Sequence, residues 1–156
     1  ESLVKSYLRG GSAASEAICR TNVSEGNMNG QEILNAFLAA FPQHAEDLKT
    51  HIADYGKLLP HIFYAETISE PLIQLLAETD DRPAVQKYCA FIEFMWSAGD
   101  ESAKNVVDVT ILERLSDDRV VWQRFGKEIS SAFKRYINED LLKSNGMMNS
   151  VEKLNG

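Results

Sequence analysis

The sequence predicts an all-α fold: three antiparallel helical pairs, arranged as a stacked hairpin array or an irregular bundle, behind an N-terminal helical extension. Three observations carry this. Apolar residues recur at intervals of three and four through most of the chain, as in Val85, Tyr88, Cys89, Ile92, Met95 and Trp96. Short breakers of Gly, Pro, Asn, Asp and Ser separate those runs, and short connections make neighbouring helices antiparallel. The one β-branched run, VVDVTIL, is flanked by helix-start residues rather than by turn residues.

Residues 1–28 read as a helical extension and linker. Leu3, Val4, Tyr7 and Leu8 share a face around the break at Gly10 and Gly11, and Thr21 to Gly30 has linker composition. The helical domain then runs over 29–143. Asn29 and Glu32 have capping-box spacing and open a helix with Ile33, Leu34, Phe37 and Leu38 inward, ending at Phe41 and Pro42. Pro42 suits a first helical turn, so a second helix is predicted with Ala45, Leu48, Ile52 and Tyr55 on its inner face and Gly56 as its stop.

HIFYAETI is predicted as a short separate turn or helix. Pro71 belongs in a first turn rather than an interior, which makes Ser69 the cap of the next helix, carrying Leu72, Leu75 and Leu76. Asp80 to Pro83 makes a break before the apolar helix ending at Gly99. Asp100 and Glu101 then suit a helix N-terminus, and Ala103, Val107 and Ile111 recur at intervals of four, so 101–115 is predicted as helix. Ser116, Asp117 and Asp118 cap a final long helix with Trp122, Phe125, Ile129, Ala132, Phe133 and Tyr136 on one face. The pairs are thus 29–56, 69–98 and 101–143, with a flexible tail over 144–156.

Composition bounds the function. A chain of 156 residues with 44% apolar and 25% charged side chains is ordinary for one globular domain. Its net charge of -7 argues against general nucleic-acid binding and makes basic partners the complement. No stretch approaches a membrane span, and no secretory-type apolar core lies near the N-terminus. The two cysteines, Cys19 and Cys89, are far apart, and Cys89 lies on an apolar face, which reads as a reduced core thiol and a cytoplasmic protein.

Catalytic motifs are missing: there is no GxxxxGK[ST], GxGxxG or GxSxG, and no i, i+4 histidine pair for zinc, so no cofactor or metal is expected. His44 and His51 are read as solvated or capping residues. His61, with Tyr64 and Glu66 close in sequence, is the better pocket candidate, and Glu113, near Val106 by helical angle, joins it as a partly buried carboxylate served by a backbone N–H, Arg114 or Arg119. Carboxylates dominate elsewhere: His44 to Asp118 holds 15 acidic against 6 basic residues, whereas Arg119 to Lys143 holds 6 basic against 3 acidic. Glu78, Asp80 and Asp81 form the acidic corner expected to meet a basic partner.

Two segments, LLPHIFYAETISEPLIQLLAE and FIEFMWSAGDESAKNVVDVTILERL, resemble an uncharacterised family of small all-helical bacterial proteins. The resemblance covers about residues 41–136 and rests on Leu59, Pro60 and His61, on Gly99 and Asp100, and on Leu112, Glu113 and Leu115. It implies a HEAT-like helical stack and, for some members, a role as an immunity protein encoded beside a polymorphic toxin. The function expected is therefore a non-enzymatic, protein-binding domain, an immunity protein against a basic toxin domain in its sharpest form. The alternative is a small-molecule-binding or enzymatic domain with a pocket near 59–66. Convergence of His61 and Glu113 in one concavity would favour the alternative; an apolar core with charge outside would favour the first.

Overall fold

In the computed structural model, which describes residues 27–78, 80–144 and 151–155, helix α1 (Gly30–Ala40) starts where its capping box places it. Asn29 Oδ1 accepts from the Glu32 N–H at 2.9 Å, and the Glu32 carboxylate accepts from the Asn29 N–H at 3.2 Å. Ile33, Leu34, Ala36 and Phe37 are buried, as the pattern predicts. The expected N-terminal helical extension, and Cys19 with it, lies outside the described residues.

Pro42 opens a 3-10 turn (Pro42–His44) that leads into α2 (Ala45–Tyr55), and Gly56, at φ 77, closes it by donating to the Ile52 carbonyl at 2.8 Å. The buried face of α2 differs from the expected one. His44 and His51, read as solvated, are buried, while Ile52 and Tyr55 are 39% and 47% exposed. Two hydrogen bonds from outside the helix explain the rotation: His44 Nε2 meets the Tyr88 hydroxyl at 2.8 Å, and His51 Nε2 accepts from the Leu59 N–H at 2.9 Å. Apolar periodicity cannot register a histidine whose ring is bonded inside the core, through both nitrogens in His44 and through Nε2 alone in His51.

The third helix also departs from expectation. HIFYAETI and the segment after it form one helix, α3 (residues 60–78), which is α-helical over Pro60–Tyr64, π-helical over Ala65–Ser69 and α-helical again over Glu70–Glu78. Ser69 is therefore fully buried in mid-helix and caps nothing. A proline inside an α-helix lacks a donor and collides with the carbonyl four residues back. The wider π turn ending at Ser69 shifts the pairing just before Pro71, so that Glu70 donates to Ala65 five residues back, and the helix passes through the proline unbroken.

Helix α4 (Arg82–Ala98) is capped by Asp81, whose Oδ1 accepts from the Ala84 N–H, and it ends at Gly99. Helix α5 (residues 101–115) is capped by Asp100 and carries VVDVTIL as helix, with a second π turn at Val107–Ile111. Chain entering α1 is tied to this junction: Met28 donates to the Ala98 carbonyl and accepts from the Asp100 N–H, the isolated bridge that pairs Met28 with Gly99.

The expected final long helix is two helices. Asp118 caps α6 (Arg119–Gly126), the chain turns through 127–130, and Ser130 caps α7 (residues 131–144), which contains a third π turn at Tyr136–Leu141. Glu93 of α4 causes the break by accepting from both the Ser130 N–H, at 3.0 Å, and the Ser130 hydroxyl. Residues 151–155, assigned to a flexible tail, lie against these helices: Leu154 is buried, Asn138 bonds its N–H and carbonyl, and the Glu152 carbonyl accepts from Trp122 Nε1.

The seven helices among the described residues form an irregular bundle rather than a run of stacked hairpins, because α3 touches α4, α5 and α6 together and its π turn packs on that of α5. Aromatic residues fill the interior: the Phe37 ring lies 5.1–5.9 Å from those of Phe41, His44, Phe63, Tyr64 and Phe91. Trp96 is only half-buried, between Phe133 and Tyr136. Cys89 is a buried free thiol whose pKa burial pushes up, which makes it unreactive. Among the described residues, no helix is long and apolar enough to cross a membrane.

Burial raises the pKa of Glu93 above the usual carboxylate value despite its hydrogen bonds from Ser130. Protonated Glu93 is therefore favoured in the folded state, and its contribution to stability is present at low pH and lost as pH rises through its folded pKa. Glu93→Gln keeps an acceptor for the Ser130 N–H and removes the titration. Urea denaturation at a series of pH values from 4 to 8 is expected to show a smaller stability loss with rising pH for Glu93→Gln than for the wild type; parallel curves would show that Glu93 does not titrate in this range.

Candidate functional site

A half-open cavity of about 200 Å³ lies where the first turn of α1, the start of α3 and the start of α5 meet. Its floor is apolar and buried, built from Ile33, Met95, Ala103 and Val106, with Tyr64 as the aromatic wall. The Leu58–Pro60 connection closes one side. His61, Ser102 and Asn105 stand exposed at the rim. Among the described residues, no carboxylate, ammonium or guanidinium group lines it.

Local sequence accounts for this placement. The capping box starts α1 at Gly30 and puts Ile33 one turn in; Pro60 begins α3, so His61 and Tyr64 fall three apart on one side. Asp100 starts α5, which places Ser102, Ala103, Asn105 and Val106 along its first two turns. Tyr64 and Val106 each immediately precede a π turn.

His61 links the two walls of the cavity. Its Nδ1 lies 2.5 Å from Thr110 Oγ1 and its Nε2 lies 3.5 Å from Asn105 Nδ2, so a ring protonated on Nδ1 donates to the threonine and faces the amide donor with its other nitrogen. Tyr64 is 3% exposed, its ring packs edge-on against Phe37 and Phe63, and its hydroxyl is buried with no hydrogen-bond partner among the described residues. Burial pushes the phenol pKa well up, which keeps the hydroxyl a proton donor at any ordinary pH.

Two of the four expected pocket residues thus come together and two do not. Glu66 is exposed on the π turn of α3, away from the cavity lining. Glu113 lines a different, polar cleft with Ser116, Asp117, Arg119, Trp122 and Glu152. The partners expected for it are engaged elsewhere, Arg114 with Glu70 and Arg119 with Glu152 at 2.8 Å. The π turn at Val107–Ile111 shifts the helical phase between Val106 and Glu113, so an angle counted at 3.6 residues per turn misplaces the carboxylate.

The acidic corner is exposed at Glu78, Asp80 and Asp81 but is not uniformly acidic. Asp80 shares a cleft with Arg82, Arg124, Lys127 and Glu128, and Asp81 uses an oxygen to cap α4. Sequence reasoning also missed a polar chain in which Asp47 Oδ2 lies 2.7 Å from His44 Nδ1 and His44 Nε2 lies 2.8 Å from the Tyr88 hydroxyl. Burial, with Asp47 adding to it, pushes Tyr88 up to about 12. The His44–Asp47 spacing is a faint signal, but the Tyr88 contact, 44 residues away, has none in the sequence. None of these three residues lines the cavities above, and their geometry fixes the α2–α4 contact.

Among the described residues, no group of three or more His, Cys, Asp or Glu side chains is arranged to hold a metal ion. A family model described as a domain of unknown function, DUF7674, matches residues 34–143, which spans α1 to α7. No curated protein and no solved structure matches the chain.

Proposed function

The chain belongs to the DUF7674 family, and from that premise we propose that it is a protein-interaction domain for a basic protein, in its sharpest form an immunity protein that neutralises a cognate bacterial toxin. The observation that carries the reading is the outer face of α2. Ile52 and Tyr55 are exposed three residues apart on a helix whose other exposed side chains include Glu46, Asp47 and Asp54, with Lys49 paired to Glu46. Ile62, 37% exposed, and Glu66 continue this mixture on α3.

Single exposed apolar residues are ordinary. Tyr55 stands apart because its ring rests on the buried His51 ring at 4.7 Å, so it is held in place before any partner arrives. A rigid tyrosine on a helix with three exposed carboxylates against one lysine suits a hot spot that meets a basic surface. The pocket-based alternative asked for His61 and Glu113 in one concavity, and they line two different ones. The net charge of -7 supports a basic partner through long-range steering.

The test is binding of the full chain to each basic protein, if any, that is encoded beside its gene. Tyr55→Ala is expected to weaken binding by about 30-fold, the scale of a hot-spot residue worth ~2 kcal/mol, with an unchanged melting temperature. Glu78→Lys combined with Asp80→Lys is expected to slow association several-fold at low salt and to flatten its salt dependence. Asp81 is left intact because reversing it would remove the α4 cap. Failure of any basic neighbour to bind at micromolar concentration, or wild-type binding by Tyr55→Ala, would overturn the reading.

A further inference from the structure

We propose that the groove between α6 and α7 is a binding site for a short extended peptide of the pattern Glu-x-Leu-Asn, and that residues 151–155 of this chain are its exchangeable occupant. The inference is independent of the protein-interaction reading, whose face on α2 calls for a basic partner, whereas this groove takes an acidic segment.

Four observations carry it. First, side chains of the two helices read the backbone of the segment from one residue to the next. Trp122 Nε1 donates to the Glu152 carbonyl at 2.8 Å, and Gln123 donates to the Lys153 carbonyl at 2.9 Å and accepts from the Asn155 N–H at 3.2 Å. Asn138 donates to the Leu154 carbonyl at 2.9 Å and accepts from the Leu154 N–H at 2.8 Å. Residues 152–155 form no helix or strand of their own, so these side chains satisfy the polar groups that any extended peptide carries, whatever its source. Second, Leu154 is the buried anchor of the segment, and Gly126 makes room for it: an added Cβ there would lie 3.0 Å from Leu154 Cδ2 and 3.2 Å from its Cβ. Gly126 ends α6 without a positive φ, so conformation does not call for a glycine there and the close approach of the leucine does.

Third, Arg119 pairs with Glu152 at 2.8 Å where the segment enters the groove. The guanidinium is 79% exposed, so the pair selects an acidic residue while adding little affinity. Fourth, Asn138 stands within the π turn Tyr136–Leu141 of α7, and such turns occur frequently at functional sites. The segment thus has the anatomy of a bound linear motif, with one apolar side chain in a fitted pocket, backbone bonds to both walls and a charged residue at the edge.

The experiment tests whether the segment exchanges. A fluorescent peptide with the sequence of residues 150–156, blocked at both ends, is titrated into the full chain and into the full-chain variant Leu154→Asp, whose own segment has lost its anchor. Binding is read by anisotropy and folding by circular dichroism. The folded variant is expected to bind the peptide with a Kd of roughly 100 μM, and the wild type about tenfold more weakly, because a tethered competitor acts at roughly millimolar effective concentration. Adding Asn138→Ala to Leu154→Asp is expected to weaken the peptide about tenfold through the loss of two hydrogen bonds, and a peptide with Asp in place of its leucine is expected not to bind. The proposal is overturned if Leu154→Asp does not bind the peptide at about 1 mM, if it binds no more tightly than the wild type, or if Asn138→Ala has no effect. It is equally overturned if Leu154→Asp unfolds the chain, since the segment is then part of the core and not a ligand of it.

Discussion

Phe37→Ala is expected to destabilise the protein by about 3–5 kcal/mol, the cost of deleting a fully buried aromatic ring. Phe37 has no exposed surface, and five aromatic rings surround it within 6 Å, contributed by α1 and its end, the turn before α2, α3 and α4. Truncation leaves a void bounded by rings that are themselves fixed: His44 by Tyr88 and Asp47, Phe41 by stacking on Tyr88 at 4.5 Å. The site therefore cannot collapse cheaply, which places the cost in the upper part of that range. Against a typical total stability of about 5–15 kcal/mol, the variant should unfold at a markedly lower urea concentration. A midpoint equal to that of the wild type would show that this ring cluster does not hold the bundle together.

Gly99→Ala is expected to cost about 3 kcal/mol, the upper part of the range for overpacking. Backbone conformation is not the reason, since Gly99 has φ -75 and ψ 159, open to any residue. Space is the reason. An added Cβ would lie 2.5 Å from the Met95 carbonyl oxygen and closer still to the Ala103 Cβ, and neither atom belongs to a flexible side chain end. Relief requires α4 and α5 to separate at the point where Met28 bridges them and where Met95 and Ala103 form the cavity floor. Thermal denaturation checks the magnitude. A variant as stable as the wild type would mean that the α4–α5 junction yields easily.

Helix boundaries set by local chemistry were legible in the sequence. Asn29 with Glu32, Pro42, Gly56, Asp81, Asp100 and Asp118 each act within four residues of their own position, so their effect is written where they stand. VVDVTIL was legible as helix for the same reason: the Asp100 cap and the four-residue recurrence outweigh the β-branched preference of a short segment. Boundaries set from a distance were not. Glu93 breaks the last long helix by capturing Ser130, 37 residues away, and Pro71 sits in mid-helix because a π turn absorbs it.

The candidate site divides in the same way. His61 and Tyr64 fall three apart in one helical turn, and their proximity followed from spacing. Glu113 was placed beside them by counting α-helical turns, and a π turn between it and the cavity broke that count. Ser102, Ala103, Asn105 and Val106, the opposite wall, gave no sign of meeting His61, because nothing in one strand of sequence says which helix packs on which.

The sequence by itself determined the all-α class, the starts of most helices, the acidic balance and the apolar faces, because capping, propensity and periodicity are interactions between residues a few positions apart. Tertiary structure alone decided the burial of His44 and His51, the interruption at 127–130, the docking of Leu154, the choice of an irregular bundle over stacked hairpins, and the cavity walled by Tyr64. Each of these depends on hydrogen bonds and ring contacts outside the span of local helix preferences, from eight positions apart for His51 and Leu59 to 44 for His44 and Tyr88.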